Sequence, residues 1–437
     1  MSKAVHEASV TDLSGESGSS AAAERLNPRR WLLLAVLFLV GTSSATDRVV
    51  ISVLLEPIKR EFGVSDAQLG LLSGLSFAVL YSVLGLPIAR WADRGDRRRL
   101  ITIALSVWSG MTVVCAAAGN FWQLLIARIG VGAGEAGATP PAQALIVDYF
   151  PAELRARAIA IFASSGTAGY LLGLMVGSQL VSHYGWRETL TIFGLAGFLI
   201  AALAYGMLEE PRRARHAGNA GSSEDFAASM RRLMAKPAFV RLLLGHTLYN
   251  FAAYGALLFV PTYLTRLLGI PVGKVGLYYG FVTALSVLIG SLAGGWLCDW
   301  LVSRDKRWIA WFPAAGFALA TIPDSLMFLS SDFTVFLWVS LLGGILLNMA
   351  LPTAFAAVHA VCGNARRATA IALVLFAGNL LGFGLGPAAT GLLSDLFGSH
   401  FGVEGLRYAV LLVMALTLPA AAAIYSAAEA LPGDLEA

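Results

Sequence analysis

Residues 89–99 read ARWADRGDRRR and stand between two long apolar runs. A second charged stretch, residues 295–307, reads GWLCDWLVSRDKR and also follows an apolar run. In both stretches a small residue is followed four positions later by an aspartate, Asp93 or Asp299, and then by a basic cluster. The two aspartates are 206 positions apart in a chain of 437 residues, which indicates a duplicated unit.

Two glycine-containing strings repeat at nearly the same distance. Tyr170-Leu-Leu-Gly173 and Asn379-Leu-Leu-Gly382 are 209 positions apart, and so are Gly177 and Gly386. Glycines spaced by four residues allow helices to approach closely, in packing or in hinge roles. Two parallel repeats around a central cavity are a transporter architecture.

The composition excludes a soluble fold. Apolar residues make up 57% of the chain and charged residues 13%, whereas soluble proteins carry about 25% charged residues. The net charge is +4, and the basic residues lie in short runs between apolar segments, a pattern that does not indicate nucleic-acid binding. The three cysteines are scattered in apolar runs, so the sequence predicts neither a disulfide framework nor a zinc site.

Twelve stretches reach the roughly 20 apolar residues that a transmembrane helix needs. We number them spans 1 to 12: residues 31–56, 68–91, 99–118, 121–149, 156–182, 188–208, 238–266, 272–301, 308–330, 333–360, 367–394 and 405–428. The sequence therefore predicts an all-α polytopic membrane protein of twelve transmembrane helices. Its predicted parts are a disordered cytoplasmic tail (1–27), an N-terminal bundle (28–208), a cytoplasmic linker (209–237), a C-terminal bundle (238–430) and a short tail (431–437).

Charge predicts the orientation. With the N-terminus inside, the inside segments hold 23 of the 31 Lys and Arg residues and the outside loops hold six. This asymmetry follows the positive-inside rule and predicts that both termini are cytoplasmic. Residues 224–234 of the middle segment are either a short amphipathic helix on the membrane surface or a flexible linker. Pro140-Pro141 is expected to kink span 4 just after Glu135, because ladder hydrogen bonds are lost.

On these residues the sequence resembles the major facilitator superfamily over the whole chain after the tail. The loop after span 2 matches that family in charge and spacing, but Ala89 replaces a glycine and Gly95-Asp96 departs from the usual residues. The second copy keeps the glycine, Gly295. The resemblance implies two six-helix bundles related by a parallel pseudo-repeat.

Within that superfamily the sequence is similar to the spinster-type branch, the relatives of lysolipid and sphingosine-phosphate transporters. Similar strings in span 4 also occur in organic-anion and drug carriers. The residues that carry the similarity are Asp47-Arg48, Pro57-Ile58, Glu61-Phe62, Gln68-x-Gly70-Leu-Leu, Arg128-x-x-x-Gly132-x-Gly134-Glu135-Ala136, Pro140, Asp148-Tyr-Phe-Pro151, Arg157 and Gly185-Trp186-Arg187.

Four charges lie inside predicted spans: Asp47 and Arg48 in span 1, and Arg128 and Glu135 in span 4. An ionisable group at bilayer depth is costly, so it indicates function by default. Asp47 and Arg128 lie at similar depths and are candidates to pair, and Glu135 shares a helix face with Arg128. We expect Asp47 and Glu135 to couple transport to protons and Arg48 and Arg128 to bind an anionic head group. The alternative is a static buried network that only fixes helix packing.

The C-terminal half offers mainly aromatic and amide side chains, with Asp324 near mid-depth. The predicted substrate-binding residues there are Tyr249, Asn250, Tyr254, Phe376 and Asn379. A cavity that is charged on one wall and aromatic on the other suits an amphipathic substrate, although each aromatic side chain has core packing as its alternative role.

The resemblance also implies a conformational latch. In the family the aspartate after span 2, here Asp93, faces the start of span 11, where the helix dipole attracts an anion. Arg97 is expected to bridge to Asp148, and Asp299 and Arg367 are the corresponding pair in the second half. These contacts would close the cytoplasmic side in the outward-facing state. The alternative is that the charges are solvated and only set the topology.

We therefore expect a proton-coupled secondary transporter that works by alternating access on a lysophospholipid or sphingoid-type molecule. The alternatives are a drug or small organic-anion exporter, a membrane sensor that binds without transport, and a lipid-modifying enzyme, for which the sequence shows no polar catalytic cluster. We expect no catalytic residue, no metal and no cofactor apart from the coupling protons. The glycines of residues 132–137 match GxGxxG but follow no strand. The expected partners are the substrate and the lipid bilayer of the plasma (inner) membrane, with no nucleic acid, and the expected state is a monomer.

Overall fold

The computed structural model describes residues 28–211 and 226–434, which form helices joined by short turns. The helices of the N-terminal half are Pro28–Phe62 (span 1); Asp66–Gly70, a π-helical segment Leu71–Leu75 and Ser76–Arg94 (span 2); Arg97–Ala116 (span 3); Phe121–Glu135 and Thr139–Tyr149 (span 4); Ala152–Tyr184 (span 5); and Trp186–Met207 (span 6).

The C-terminal half repeats this order. Its helices are Pro237–Leu257 and Val260–Arg266 (span 7); Val272–Val302 (span 8); Trp308–Leu329 (span 9); Phe333–Ala377 (span 10 and the start of span 11); a π-helical segment Gly378–Leu385 and Gly386–Phe401 (the rest of span 11); a 3₁₀ turn Gly402–Glu404; and Gly405–Met414 and Thr417–Asp434 (span 12). Within Phe333–Ala377, Gly363 has a φ of 66° and separates the two spans, a backbone conformation that glycine adopts without steric cost.

Among the described residues, ten helical stretches are long and apolar enough to cross a membrane. Span 4 escapes this criterion because it is broken into helices of 15 and 11 residues. Spans 11 and 12 follow each other so closely that Thr369–Ala430 forms a single stretch of 62 residues. The described chain therefore contains the twelve spans that the sequence predicts.

The break in span 4 confirms the kink predicted from its prolines. The first helix ends at Glu135, and the second begins at Thr139 with proline in its first turn. Because Pro140 and Pro141 have no N–H group, the carbonyls of residues 136 and 137 cannot receive their ladder hydrogen bonds. Glu135 consequently lies directly at the break.

Charged side chains join the two halves at one end of the bundle, which we call the Arg266 end. The Arg266 guanidinium lies 2.7 Å from the Asp66 carboxylate and 2.9 Å from the Glu56 carboxylate. Lys59 also contacts Asp66, at 2.6 Å. The side chains of Asp66 and Arg266 are 4% and 13% exposed, so solvent screens their attraction little.

Span 11 adds a second link between the halves at the same end. The Asp395 carboxylate accepts hydrogen bonds from the backbone N–H groups of Asp66 and Ala67, at 2.9 and 2.8 Å, at the N-terminus of span 2, where an anion is stabilised by the helix dipole. The Ser394 hydroxyl donates to Asp66 at 2.6 Å. We call Glu56, Lys59, Asp66, Arg266, Ser394 and Asp395 the Arg266 cluster.

Glycines bring the halves into backbone contact near this cluster. A Cβ atom on Gly391 of span 11 would lie 2.0 Å from the Asp66 carbonyl oxygen, and one on Gly276 of span 8 would lie 1.8 Å from the Ser178 hydroxyl of span 5. No larger residue fits either position without moving a helix. The Arg266 end is therefore closed by both packing and charge.

The opposite end, which we call the Arg97 end, has charged contacts within the N-terminal half. The buried Arg97 guanidinium lies 2.6 Å from Asp148 and 2.8 Å from Glu210. Arg29 pairs with Glu209 at the same end. These contacts tie spans 1, 3, 4 and 6 of one bundle to each other.

Part of the middle segment is an amphipathic helix, Phe226–Met234, which is one of the two alternatives that the sequence leaves open. Leu233 is buried, whereas Phe226, Met230 and Met234 are exposed at a spacing of four residues. Residues 1–27 and 212–225, to which the predicted disordered tail and part of the linker belong, lie outside the described residues.

We predict that Arg266→Ala opens the Arg266 end. Removing one partner of a largely buried ion pair costs about 2 kcal/mol or more, which would raise the population of the open form by roughly 30-fold. Spin labels on the exposed residues Arg60 and Ser399 should then give longer distances in double electron–electron resonance.

Arg187→Ala is the matched control, because Arg187 pairs with Glu61 inside the N-terminal half. It should leave the distance distribution unchanged. An unchanged distribution in Arg266→Ala would show that helix packing alone keeps this end closed.

Candidate functional site

An ion pair inside the N-terminal half joins Arg48 of span 1 to Glu135 of span 4. The Arg48 Nε lies 2.8 Å from the Glu135 Oε2, and the Ser44 hydroxyl donates to the same oxygen at 2.7 Å. The other carboxylate oxygen of Glu135 has no hydrogen-bond partner among the described residues. The charge of Glu135 therefore depends on one arginine and one hydroxyl.

The two partners differ in their access to the interior of the bundle. The Glu135 side chain is fully buried, whereas the Arg48 side chain is 25% exposed. The Arg48 guanidinium lies 4.9 Å from the ring centre of Phe77 and 4.7 Å from that of Tyr81. Aromatic faces attract a cation at this distance, so the rings keep Arg48 in place at the edge of the space beside it.

That space is a cavity of about 400 Å³, which we call the Arg48 cavity. Its lining comes from spans 1, 2, 4, 5, 7 and 11 and includes Arg48, Tyr81, Gln143, Tyr170, Tyr254 and Asn379. Both bundles contribute to it. The predicted substrate-binding residues Arg48, Tyr254 and Asn379 therefore face one common space, and Glu135 lies behind Arg48.

A second cavity of about 400 Å³, which we call the Asp324 cavity, lies mainly in the C-terminal half. Its lining includes Tyr170, Tyr249, Tyr254, Tyr279, Asp324 and Asn348. The ring of Tyr249 stacks on Phe317 with 4.1 Å between the ring centres. Gly166, Tyr170, Tyr254 and Leu257 line both cavities, so the two spaces adjoin.

Asp47 and Arg128 lie close together, but not as a pair of side chains. Both are buried, and the Arg128 guanidinium donates to the backbone carbonyl of Asp47 at 2.8 Å. Within the described part of the chain no ion pair shorter than 4 Å includes the Asp47 carboxylate. Successive helix residues point about 100° apart, and it is Arg48, not Asp47, that forms an ion pair with a residue of span 4 within 4 Å. The pairing suggested by depth is therefore replaced by the Arg48–Glu135 pair.

Three predicted substrate-binding residues lie outside the linings of both cavities. Arg128 is buried against Asp47. Asn250 faces Gly382 at the contact between spans 7 and 11 and donates to the His246 carbonyl. Phe376 is 45% exposed. A direct contact of Asn250 or Phe376 with a substrate remains a prediction, whereas the contact of Arg128 with the Asp47 carbonyl favours a structural role for this arginine.

The predicted latch residues lie at the Arg97 end. The contact between Arg97 and Asp148 is present, with Glu210 as a further partner of Arg97. Asp93 lies at the end of span 2, and its side chain is outside the described part of the structure. Asp299 is exposed at the end of span 8 and forms no described ion pair with Arg367, which has other partners.

The Arg266 cluster could not be predicted from the sequence. Its members flank apolar spans, and nothing in their spacing shows that residues more than 300 positions apart, such as Asp66 and Asp395, meet. The sequence shows only that Glu56, Asp66 and Asp395 lie near the ends of spans on the side with few Lys and Arg residues, which does not indicate that they meet.

Comparisons with known proteins agree with this fold. The family model described as Major Facilitator Superfamily matches residues 36–323. An MFS-type efflux pump of Mycolicibacterium smegmatis is 32% identical over 395 residues, which cover 90% of this chain and 91% of that protein. Protein spinster homolog 1 of Xenopus laevis is 28% identical over 405 residues, covering 84% of this chain and 73% of that protein.

A solved structure shows the same arrangement of helices. It is a bacterial homologue of the human lysosomal transporter Spinster, in an inward-facing and unoccupied conformation. It superimposes with a TM-score of 0.87 at 30% sequence identity and covers 94% of this chain and 99% of that one. These relatives are transporters and not enzymes. The chain belongs to the major facilitator superfamily of transporters, and within it is similar to the spinster-type proteins.

Proposed function

We propose that the protein is a proton-coupled transporter that moves an amphipathic, lipid-like molecule with an anionic or zwitterionic head group by alternating access. The position of Arg48 carries the proposal. Its guanidinium contacts the buried carboxylate of Glu135 on one side and lines the Arg48 cavity on the other. One side chain thus connects a substrate space to a candidate proton carrier.

The coupling follows from competition for Arg48. A phosphate or carboxylate group in the cavity offers Arg48 bidentate hydrogen bonds, which are stronger than its single contact with Glu135. Glu135 is fully buried, and a buried carboxylate that loses its cationic partner takes up a proton. Binding of the head group and protonation of Glu135 are therefore linked. Asp47 lies next to Arg48 in the chain, and we propose that it takes part as the second proton-binding group.

The two adjoining cavities suit a substrate with an apolar part. Both linings combine polar groups with aromatic and aliphatic side chains of spans 2, 5, 7, 8, 10 and 11. A head group at Arg48 leaves the Asp324 cavity for the rest of the molecule. The resemblance to the spinster-type branch, the relatives of lysolipid and sphingosine-phosphate transporters, makes a lysophospholipid or a sphingoid-type molecule the substrate that we propose.

The charge asymmetry supports an orientation with the Arg97 end in the cytoplasm. The segments at that end hold 23 of the 31 Lys and Arg residues. The closed Arg266 end would then face outward, and we propose that the structure corresponds to an inward-facing state, the conformation of the solved spinster homologue to which it is similar. We propose a monomer in the plasma (inner) membrane with both termini in the cytoplasm.

We predict that Glu135→Gln and Asp47→Asn each abolish proton-driven accumulation of a labelled lysophospholipid in sealed proteoliposomes. Neither amide can carry a proton, so accumulation under an imposed pH gradient should fall at least about 10-fold. Counterflow of unlabelled against labelled substrate needs no net proton movement and should remain measurable.

Glu188→Gln, at an exposed position at the start of span 6, is the matched control and should behave as the parent. Accumulation by Glu135→Gln at the parental level would remove this carboxylate from the coupling mechanism. Absence of any movement by the parent would instead reject the lysolipid as substrate.

Arg48 and Arg128 should differ as binding residues. We predict that Arg48→Ala weakens binding of an anionic lysolipid by about 10- to 100-fold, the range of one charged hydrogen-bonding partner, and has a smaller effect on an uncharged monoacylglycerol. Arg128→Ala should affect both lipids equally, because Arg128 supports the backbone at Asp47. Equal losses for the two lipids in Arg48→Ala, measured by equilibrium binding, would contradict the assigned role.

A second candidate function is export of drugs or small organic anions. The similarity to the mycobacterial efflux pump, at 32% identity over 90% of this chain, favours it. Gradient-driven movement of such compounds in the same vesicles, with no movement of lysolipids, would select this function.

A further inference from the structure

We propose that the Asp324 cavity is a binding site for an organic cation, in which the Asp324 carboxylate is the counter-ion and tyrosine rings form the walls. The inference rests on the proposed transport function only in treating the two adjoining cavities as one substrate path. It adds a subsite of opposite charge to that of Arg48. The site therefore accepts a lipophilic cation, or the ammonium group of a zwitterion whose anionic group lies at Arg48.

Asp324 is a buried carboxylate with incomplete hydrogen bonding. It is 4% exposed, and its Oδ2 atom has no hydrogen-bond partner among the described residues. The part of the chain that the structure describes contains no ion pair within 4 Å of this carboxylate. A charge in this position, unlike Glu135 with its arginine, has no cation supplied by the protein. It needs either a ligand or a proton.

The packing around Asp324 makes room for the carboxylate. Gly343 of span 10 lies against it, and a Cβ atom there would approach the Asp324 Oδ1 to 2.0 Å. The neighbouring Gly344 faces Ser286 of span 8 in the same way, at 2.6 Å from its hydroxyl. The two glycines therefore leave a recess between spans 8, 9 and 10, and the carboxylate lies in it at the wall of the cavity.

The other groups around the cavity are neutral and suit a cation. Tyr249 comes from span 7, Tyr279 and Ser286 from span 8, Ser340 and Asn348 from span 10, and Thr417 from span 12. Aromatic faces attract cations, most strongly where water is excluded. A volume of about 400 Å³ is that of a small-molecule site rather than of a bare metal ion.

The two adjoining cavities carry charges of opposite sign. Arg48 lines one cavity and Asp324 the other, and Gly166, Tyr170 and Tyr254 form the wall they share. An anionic group is attracted to the first and repelled by the second, and the reverse holds for a cation. The site therefore distinguishes ligands of the same shape by the sign of their charge.

The test compares two ions of the same shape and opposite charge, tetraphenylphosphonium and tetraphenylborate, neither of which titrates. Equilibrium dialysis with the full chain in a non-ionic detergent measures binding without any gradient, so it is independent of transport. The parent should bind the phosphonium. Asp324→Asn should weaken this binding at least 10-fold and leave the borate unaffected or bound more tightly. Asp305→Asn, at an exposed loop position, should match the parent.

Gly343→Ala provides a second variant, because it keeps the carboxylate but displaces it, and it should also weaken binding of the phosphonium. Four outcomes would overturn the proposal: no binding of the phosphonium by the parent, unchanged affinity in Asp324→Asn, equal losses for the two ions, or displacement of the phosphonium by sodium but not by potassium at equal ionic strength, which would assign the site to an inorganic cation. These binding results do not depend on the outcome of the Glu135→Gln transport experiment, so the cation site and the proton coupling are tested separately.

Discussion

The contact between Arg48 and Glu135 is the interaction on which the site depends. It lies in an apolar bundle, where a buried charge that loses its partner is costly. The Ser44 hydroxyl and the rings of Phe77 and Tyr81 complete the surroundings of the pair. Because the arginine also borders the cavity, any anion that enters competes with a residue of the protein for the same cation. The proposed link between binding and protonation rests on this geometry of three helices.

Paired charges also hold the two halves of the molecule together. At the Arg266 end, Lys59 and Arg266 pair with Glu56 and Asp66, and Asp395 of one bundle caps the helix start of the other. Glycines allow the backbones to touch there. At the Arg97 end the described contacts of Arg97 remain within one bundle. Closure of the Arg266 end thus combines close helix packing with a small cluster of charged side chains. When this end opens, these side chains can exchange their contacts with each other for contacts with water.

Much of the fold could be predicted from the sequence, because the cost of an exposed peptide group in lipid leaves few alternatives to long apolar helices. The twelve spans, the break after Glu135 and the contact of Arg97 with Asp148 follow from hydropathy, from proline chemistry and from the family resemblance. The pairing of the intramembrane charges does not follow. Depth along a helix is readable from residue numbers, but the direction in which Asp47 or Arg48 points depends on a rotation of the helix that packing decides.

The surroundings of Asp324 also could not be predicted from the sequence. A single acidic residue in span 9 gives no sign of whether it faces lipid, a neighbouring helix or a cavity. The recess at Gly343 and Gly344 settles this, and those glycines belong to a different span. Similarly, Asn250 and Phe376 have residue types suited to binding, but one lies at a helix contact and the other is exposed. Residue type indicates which chemistry is available, and the packing of distant segments decides where it is used.

The interruption of span 4 gives the helix a point of bending directly at Glu135, the proposed proton-binding residue. The first helix of the span carries Arg128 and ends at Glu135. The second helix carries Asp148, which forms an ion pair with Arg97. Two carbonyls without ladder partners make the connection between them easy to bend. A change in the attraction between Glu135 and Arg48 therefore acts at the point where span 4 bends. The second helix of the span connects this point to the Arg97 end. In the proposed mechanism, protonation of Glu135 inside the bundle would thereby shift Asp148 and its contacts at the Arg97 end.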